Sequence, residues 1–487
     1  MMKVRTLALL CAGIGLAACA THSDIQPHSR LKQADSLGRL SAANSAEWTV
    51  RENYWQAFGD PQLDALVSSA LADSPNLALA DARIRRANAM TDAAGSALWP
   101  QLALNGESID QRFSEKGMVS PTYAGKTRTN NRLALDAGIE LDVWGKYRRA
   151  LEGAKAARAA SELEARAARV ALAAAVTRAY LEFDRLHRQI ALIDQQIGLR
   201  QETERLQGVR FKAGLDAEID RNLQHQGIAQ LRSERAQIEE RISLQANALA
   251  ALAGQGPEAG SRLTPPAISG ELDAHLPSQL PSDLLANRPD LQAARLRVEA
   301  AAADVDYSRA QFYPSVNLTA FAGFSAIGLD NLLDPASRIY GIGPTLRLPI
   351  FEAGRLRAGL AGKAADYDAA VEQYNANLVD AMREVADQAR SLDGAARQGE
   401  RVREAQAAAD RGVKLVETRM GQGLASRIQL LSARMQRLGQ DRADIDVRAH
   451  RLDAAVGLAR ALGGGFTAAQ DPFSRSAGQT GSTESKS

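Results

Sequence analysis

Long stretches of the chain place apolar residues at alternating spacings of three and four. Between residues 145 and 214 these positions are Leu172, Val176, Ala179, Phe183, Leu186, Ile190, Ile193 and Ile197. This alternation is the heptad seam along which α-helices pack as coiled coils. The same spacing returns over residues 228–252 and 428–456. One amphipathic helix in a globular core would explain one seam, whereas the recurrence predicts several long, paired helices.

The positions of the prolines leave room for such helices. All sixteen prolines lie outside residues 122–256 and 350–471, so neither window contains the strongest helix breaker. We predict four helices there, over residues 146–212, 216–253, 355–421 and 425–462. The longer ones would extend about 100 Å at roughly 1.5 Å per residue. A further helix over 61–98 would have to stack end to end on 216–253 to match that length.

The sequence contains an internal repeat. Residues 98–102 resemble residues 312–316, and the segment ending in Gly214-Leu215 resembles the segment ending in Gly423-Leu424. Both pairs are separated by about 210 residues, which indicates an internal duplication. We therefore predict two pseudo-symmetric repeats, 47–254 and 283–465, with a proline-rich connection, 255–282, between them.

Alternation with a period of two marks a different kind of element. Apolar residues occupy the odd positions of residues 132–143, namely Leu133, Leu135, Ala137, Ile139, Leu141 and Val143. Residues 315–325 and 342–350 alternate in the same way, and residues 98–113 do so more weakly. This pattern predicts strands that face two different environments. We expect them to form strand hairpins within 98–144 and 312–351.

Aromatic residues stand at the ends of the predicted strands. They are Trp99, Trp144, Tyr313 and Phe351. Such residues form a girdle where a β-barrel meets the membrane–water interface. In the alternative interpretation, they pack on one another at the junction between strands and helices. The sequence agrees with both.

Four strands are too few to close a barrel, because roughly eight are needed to leave no open edge. Two copies of the chain would supply about eight strands around a filled interior, and three would supply about twelve around a polar lumen. The charged residues Asp136, Glu140 and Arg347 fall on the positions predicted to point inward. They favour the trimer.

Residues 1–18 are predicted to be an export signal. Residues 1–18 combine Lys3 and Arg5 with an apolar stretch too short for a stop-transfer helix, as in a secretory signal peptide. The segment Leu16-Ala17-Ala18-Cys19 resembles the bacterial lipobox, which predicts acylation of Cys19 and delivery to the outer membrane. The alternative is an ordinary cleavage site beside a chance cysteine.

Polar segments flank the repeats. Residues 19–46 are interpreted as an acylated tether, and residues 466–487 as a polar C-terminal tail. If Cys11 leaves with the predicted signal, Cys19 is the only thiol of the mature chain, and we expect no disulfide within it.

Composition excludes several functional classes. The 487 residues carry 59 basic and 57 acidic side chains, and the numbers become equal once the signal is removed. That balance argues against nucleic-acid binding driven by charge. Past the first twenty residues no run of about 18 apolar residues appears, which excludes membrane-spanning helices but not a β-barrel.

Catalytic signatures are missing as well. The six histidines have no metal-ligand spacing, and there is no Walker loop, nucleophile elbow or Cys–His pair. We predict that the protein is not an enzyme and has neither a cofactor nor a metal site.

Several motifs resemble one known family. They are Tyr54-Trp55-Gln56-Ala57-Phe58-Gly59-Asp60-Pro61-Gln62-Leu63, Glu140-Leu141-Asp142-Val143-Trp144-Gly145-Lys146, Leu280-Pro281-Ser282-Asp283-Leu284-Leu285 with Arg288-Pro289-Asp290, and Leu348-Pro349-Ile350-Phe351 with Gly354-Arg355. In these motifs and in their order, the chain resembles the TolC-type outer-membrane efflux factors, of the lipoprotein (NodT-type) branch that serves resistance-nodulation-division pumps. The resemblance implies a mixed α and β membrane fold: a homotrimeric outer-membrane β-barrel, with four strands from each chain, continuous with a long α-helical coiled-coil tunnel in the periplasm.

The resemblance also implies partners and functional residues. The channel would passively conduct small molecules that reach it from an inner-membrane resistance-nodulation-division transporter and a periplasmic adaptor (membrane fusion) protein. Gly214, Leu215, Gly423 and Leu424 match the family's adaptor-contact tip. The family's equatorial region would lie in the connection 255–282, with segments near 47–60 and 463–472.

Gate residues are expected just beyond the tip. Asp220 occupies an acidic position that matches the family's gate, whereas Gln429 and Ser432 replace aspartates of relatives. The usual arginine is Ala425, and Arg427 lies close enough in sequence to replace it. A solvated surface role explains Arg427 equally well.

Two other functions stay open on the sequence. The first is an outer-membrane duct for a type I protein secretion system. The second is a structural coiled-coil lipoprotein that conducts nothing, which the four alternating segments disfavour.

Overall fold

The computed structural model describes residues 24–33, 51–272 and 288–465. The predicted signal, Cys19, the tail 466–487, most of the tether and residues 273–282 of the connection lie outside these residues. The helices and strands follow one another as α1 (Pro61–Asp73), α2 (Pro75–Ser96), β1 (Gln101–Arg112), β2 (Thr127–Leu141), α3 (Lys146–Lys212), α4 (Glu218–Leu252), α5 (Pro289–Ala310), β3 (Ser315–Ile327), β4 (Arg338–Arg347), α6 (Arg355–Gly421) and α7 (Arg427–Ala461). Short helical turns lie at Tyr54–Phe58, Pro257–Gly260 and Pro335–Ser337. Long helices with a small sheet confirm the predicted mixed fold class.

The strands form one antiparallel sheet in the order β1-β2-β3-β4. Each repeat contributes one hairpin, and β2 pairs with β3 across the repeats from Asn130 opposite Ile327 to Leu141 opposite Val316. β1 and β4 are therefore the outer strands of the sheet. Each has one hydrogen-bonding edge that no other described strand of this chain pairs with.

The helices of the two repeats have matching lengths. α3 and α6 each have 67 residues, and α4 and α7 each have 35. On the predicted seam, Leu186 and Ile193 of α3 and Ile238 of α4 are almost fully buried and form one apolar cluster. The three-and-four spacing thus indicates real coiled-coil contacts.

The helix predicted over 61–98 is in fact two helices. α1 ends at Asp73 and α2 begins at Pro75, because Pro75 cannot donate a backbone hydrogen bond and restricts the residue before it. Ser74 accordingly has an extended backbone, with φ −65° and ψ 125°. A Cβ atom on Gly254, just after α4, would lie 2.7 Å from the carbonyl oxygen of Asp73. The end of α4 therefore meets the chain at this break, not at residue 61.

The chain divides into two compact units, and each contains residues from both repeats. Among the described residues, the first unit includes the sheet and consists of residues 24–31, 83–162 and 293–375. The second consists of residues 32–33, 51–82, 163–272, 288–292 and 376–465. Among the described residues of both units, no helix has the length and apolar character needed to cross a membrane.

The second unit has an apolar core around α1. Phe58, Leu63 and Val67 are completely buried and pack with Tyr180 and Phe183 of α3. Burial of an aromatic or aliphatic side chain of this size contributes about 1.5–3 kcal/mol. This core holds the segment before α1 against the long helix.

Candidate functional site

The register of the sheet places its polar residues on one face. Directly paired residues of neighbouring strands share a face, and Glu140 lies opposite Asn317, which lies opposite Thr345. The same face contains Asn105, Glu107, Arg132, Asp136, Glu140, Asn317, Thr319, Thr345 and Arg347. The three charged residues predicted to point inward, Asp136, Glu140 and Arg347, are therefore on one side of the sheet.

The opposite face of the sheet is apolar over most of its height. It contains Leu102, Leu104, Leu133, Leu135, Ala137, Ile139, Leu141, Val316, Leu318, Ala320, Ala322, Phe324, Tyr340, Ile342 and Leu346. Several of these side chains are uncovered, including Ile342 at 76% exposure and Leu346 and Leu104 at 69% each. Exposed apolar side chains on this scale indicate a surface that contacts another apolar phase.

A polar network organises the centre of the polar face. Arg132 donates to the carboxylate of Asp136, and Asn105 Nδ2 donates to Asp136 Oδ2 at 2.8 Å. The Arg132 guanidinium carbon lies 5.8 Å from the centre of the Phe321 ring, a cation–π distance. These contacts hold a paired cation and anion in fixed positions near the centre of the polar face.

The junction between β2 and α3 explains the motif from Glu140 to Lys146. Asp142 accepts hydrogen bonds from the backbone N–H groups of Tyr147 and Arg148, both at 3.0 Å. These donors belong to the first turn of α3 and have no partner within the helix. Glu140 accepts from the Tyr147 hydroxyl at 2.9 Å and also pairs with Lys146. The two acids thus fix the direction in which the helix leaves the strand.

We expect Asp142→Ala to destabilise the start of α3 by about 1–2 kcal/mol, because two N–H groups lose their acceptor. Partial burial opposes ionisation, but the hydrogen bonds from Arg148 and Tyr147 hold the pKa of Asp142 below its ordinary value. The stabilisation is therefore fully present above the ordinary aspartate pKa and is lost as the pH falls through the lower, folded value. Thermal unfolding across acidic pH measures this. Glu152→Ala, which removes an exposed ion pair with Arg149, is the control. Equal effects of the two substitutions would contradict the capping role.

The predicted girdle residues fit parts of both interpretations. Trp144 stacks on Tyr313 with 4.9 Å between ring centres and donates from its indole nitrogen to the Pro314 carbonyl at 2.8 Å. Trp99 and Phe351, in contrast, are 72% and 87% exposed. Packing at the junction thus accounts for one pair, and a surface contact remains available for the other two.

The two helical tips have the same backbone structure. Gly214 and Gly423 both have φ of +75°, which only glycine adopts without strain. The N–H of Leu215 donates to the Arg210 carbonyl at 2.9 Å, and that of Leu424 donates to the Arg419 carbonyl at 2.8 Å. This is the Schellman arrangement that ends a helix. It leaves the Leu215 and Leu424 side chains 66% and 65% exposed.

Side chains secure the two tips differently. In the first turn, Arg210 forms a two-pronged ion pair with Asp216, with both distances 2.8 Å. In the second, Ser426 and Gln429 form a capping box at the start of α7. Gln429 therefore has a structural role, helix capping, that the sequence did not indicate.

The gate candidates lie at the starts of the two return helices. Asp220 is in the first turn of α4, and Arg427 is the first residue of α7. Within the ranges that the structure describes, neither side chain forms a hydrogen bond or ion pair with the other. A further residue, Glu202 of α3, was not among the predicted gate residues. The hydrogen bond from Arg205 lowers the pKa of Glu202, and the positive charge of Arg427 lowers it further. The charge of Arg427 therefore acts on a carboxylate of α3.

Asp60 was also missed as an individual site. It is 3% exposed and accepts from the Tyr180 hydroxyl at 2.7 Å, the Ala267 N–H at 2.8 Å and the Gln62 N–H at 2.9 Å. Burial raises the pKa of Tyr180, and its hydrogen bond to Asp60 adds to this effect. One carboxylate thereby joins α1, α3 and the segment that follows residue 262. The signal for it was the FGDP sequence before α1, since aspartate before proline is a helix N-cap pattern.

Arg288, directly before α5, is a second buried charged residue. It is 8% exposed and donates to Asp290, to Glu384 and to the Ala461 carbonyl at the end of α7. A buried guanidinium needs such complete pairing. The Arg-Pro-Asp sequence is therefore explained by helix capping and charge pairing.

The described residues contain no group of three or more His, Cys, Asp or Glu side chains that could hold a metal ion. The features that remain are a sheet with one polar and one apolar face and a set of paired helices with exposed tips. A sheet with one polar and one exposed apolar face is typical of a protein that contributes strands to a membrane channel.

Comparison with known proteins agrees with this class. The profile of the outer membrane efflux protein family matches residues 66–255 and 280–464. The multidrug resistance outer membrane protein MdtP of Shigella flexneri is 31% identical over 481 residues, covering 95% of this chain and 97% of its own. The crystal structure of the outer membrane protein VceC of Vibrio cholerae superposes with a TM-score of 0.78 and 34% identity, covering 86% of this chain and all of VceC. The outer-membrane channel OprN superposes with a TM-score of 0.79 and 25% identity, covering 91% and 99%.

The chain belongs to the outer membrane efflux protein family. The resemblance to TolC-type channels is thereby confirmed, and with it the outer-membrane location and a role in efflux. The family consists of channel proteins.

Proposed function

We propose that three copies of this chain form the outer-membrane channel of a tripartite efflux system. The observation that carries the proposal is the four-stranded sheet with a polar face, an apolar face and two unpaired outer strands. In a bilayer, unpaired backbone groups are too costly to leave exposed, so β1 of one copy must pair with β4 of the next. Three copies would give about twelve strands, enough for a polar lumen.

In this arrangement the polar face of the sheet would contact water in the lumen, and the apolar face would contact lipid. Asp136, Glu140 and Arg347 would line the lumen, and the apolar residues around Ala320 would contact lipid. Trp99 and Phe351, together with the Trp144 and Tyr313 pair, would mark the periplasmic boundary of the membrane as an aromatic girdle. No step needs a catalyst, so the channel would conduct passively, without a cofactor or metal.

The helical tips supply the contact with other components. Gly214, Leu215, Gly423 and Leu424 present exposed leucines on rigid turns, which suits a periplasmic adaptor protein that itself contacts an inner-membrane transporter of the resistance-nodulation-division class. The name of MdtP refers to multidrug resistance, and we extend that cargo class, small toxic molecules and drugs, to this chain. Protein export is the less favoured alternative.

The N-terminal region would anchor the channel. Residues 1–18 would be removed, and Cys19 would be acylated and inserted into the outer membrane ahead of the tether 19–46. The equatorial region would include the connection 255–282, whose residues 263–270 pack beside Asp60 and Phe58.

Planar-bilayer recording of the full, purified protein tests the proposal. We expect discrete conductance steps that depend on salt concentration, as a water-filled pore requires. As a control, the same preparation after heat dissociation should give none. Native protein that inserts into the bilayer but carries no current would contradict channel function and favour the structural lipoprotein.

Gate variants in the same recordings test the two gate candidates. We expect Asp220→Ala and Arg427→Ala each to increase the open fraction severalfold, because each removes a charge from the constricted end of the helices. Glu218→Ala, a neighbouring acid in the first turn of α4, serves as the matched control. If the open fraction of either variant equals that of the unmodified channel, that residue is not part of the gate.

A further inference from the structure

The segment between the predicted lipid anchor and the first repeat is held in place along α6. Residues 24–31 contain no regular helix or strand, yet their exposure alternates: Ile25, Pro27 and Ser29 are half-buried, whereas their neighbours are exposed. Alternation with period two is the mark of an extended chain with one side against a surface. In this segment the buried side begins with an isoleucine and a proline.

One carboxylate provides the central contact. Asp368 Oδ1 accepts from the backbone N–H of His28 and from that of Ser29, both at 2.8 Å. Hydrogen bonds to an ionised acceptor are about twice as strong as those between neutral groups. Because the donors are backbone groups, this contact fixes the path of the chain more than the identity of its side chains.

Contacts on either side of Asp368 define the direction. Arg357 donates to Asp24 at 2.6 Å near the start of α6, and Asn375 donates to the Arg30 carbonyl at 3.1 Å further along the helix. The order of residues 24, 28 and 30 therefore follows the order of residues 357, 368 and 375. From residue 357 to 375 the helix rises about 27 Å, and residues 24–30 can span roughly 20 Å when extended. The long Arg357 side chain makes up the difference only if the chain runs fully extended.

We infer that Arg357, Asp368 and Asn375 of α6 form a docking site for the N-terminal segment. This site holds residues 24–31 parallel to the helix, with residue 24 beside the start of the helix. We call residues 24–31 the strap. β4 ends at Arg347 and α6 begins at Arg355, so residue 24, the N-terminal end of the strap, lies toward the strand end of its unit. Asp24 follows Cys19 by five positions, which gives a reach of at most about 18 Å.

The direction of the strap determines where the lipid anchor lies, and this consequence rests on the proposed function. If Cys19 is acylated, a parallel strap brings the lipid to the membrane surface that the strand ends meet. An antiparallel strap would leave Cys19 at the far end of the contact, roughly 27 Å away along the helix, where its acyl chains could not reach the same membrane. The docking site thus positions the lipid anchor in register with the sheet.

Cross-linking of the full protein in outer-membrane fragments tests the direction. The pair Asp24→Cys with Arg357→Cys and the pair Asp24→Cys with Asn375→Cys are treated with a short bis-maleimide. We expect the first pair to cross-link at least about 10-fold more than the second, because roughly 27 Å of helix separates the two partner positions. Equal yields, or a higher yield from the second pair, would overturn the inference.

Hydrogen exchange tests the contribution of Asp368. Replacing it by alanine should speed amide exchange of His28 and Ser29 by roughly 10-fold, the effect of losing a charge-assisted hydrogen bond. Asp366→Ala, on the same helix and paired with Lys363, should not change it. Unchanged exchange in Asp368→Ala would show that the carboxylate does not hold the strap.

The lipid anchor and the strap can fail separately. In a Cys19→Ser variant exported with an ordinary signal peptide, the cross-link between positions 24 and 357 should persist, because docking depends on α6 and not on the lipid. Mass spectrometry of the mature N-terminus reports acylation independently. If the unmodified protein, with Cys19 present, carries no acyl chains but still forms the cross-link, the anchor is contradicted and the strap is unaffected.

Discussion

Replacing Ala320 with arginine is expected to prevent stable assembly of the protein in the outer membrane. Ala320 lies near the middle of β3 on the apolar face, between Ala137 and Ile342 on the neighbouring strands. An arginine facing lipid at the bilayer midplane costs about 2–4 kcal/mol, and in a trimer that cost occurs in every copy. The measurement is the amount of heat-modifiable oligomer in outer-membrane fractions, compared with total expressed chain.

Thr319 offers a matched control one residue away. It lies on the polar face, opposite Gly138 and Gly343, and its side chain is exposed. Thr319→Arg should insert normally and lower the conductance for cations, because it adds positive charge to the lumen. If Thr319→Arg prevented assembly as strongly as Ala320→Arg, the assignment of the two faces would be wrong.

The second large effect is expected for Asp60→Ala. The substitution leaves the Tyr180 hydroxyl and the Ala267 N–H without the acceptor that each has in the folded protein. Loss of hydrogen bonds to a buried charged group costs about 3 kcal/mol, and the N-cap of α1 is lost as well. We expect the midpoint of thermal unfolding to fall by several degrees, and faster proteolysis of the segment that follows residue 262.

Two variants make the Asp60 result specific. Asp60→Asn preserves shape and one carbonyl oxygen, so its loss of stability should be intermediate. Asp73→Ala removes an exposed acid at the other end of α1 and should have little effect. Equal stability of Asp60→Ala and Asp73→Ala would contradict the role of the buried carboxylate.

Much of this fold could be predicted because its elements depend on local patterns. The proline-free windows and the glycines at 145, 214 and 423 indicate where the long helices start and end, since left-handed backbone and helix breaking are properties of single residues. Period-two alternation likewise separates the two faces of the sheet, and Asp136, Glu140 and Arg347 fall on one of them.

The features that could not be predicted depend mostly on contacts between residues distant in sequence. Pro75 lies within 61–98 and could have been used as a break, but the prediction placed a single helix across it. The pairing of Asp60 with Tyr180 and Ala267, like that of Asp368 with the backbone of residues 28 and 29, leaves no periodic signal. The interaction of Glu202 with Arg427 could not be predicted for the same reason, because only folding brings α3 and α7 together.

The central claim is that the sheet of one chain is a third of a closed barrel. Native mass spectrometry of the full protein, extracted from the outer membrane in detergent, measures this directly. The account predicts a single assembly with three times the mass of the mature chain, which dissociates when Ala320 is replaced by arginine. A species of one or two chains that still conducts ions in planar bilayers would contradict it.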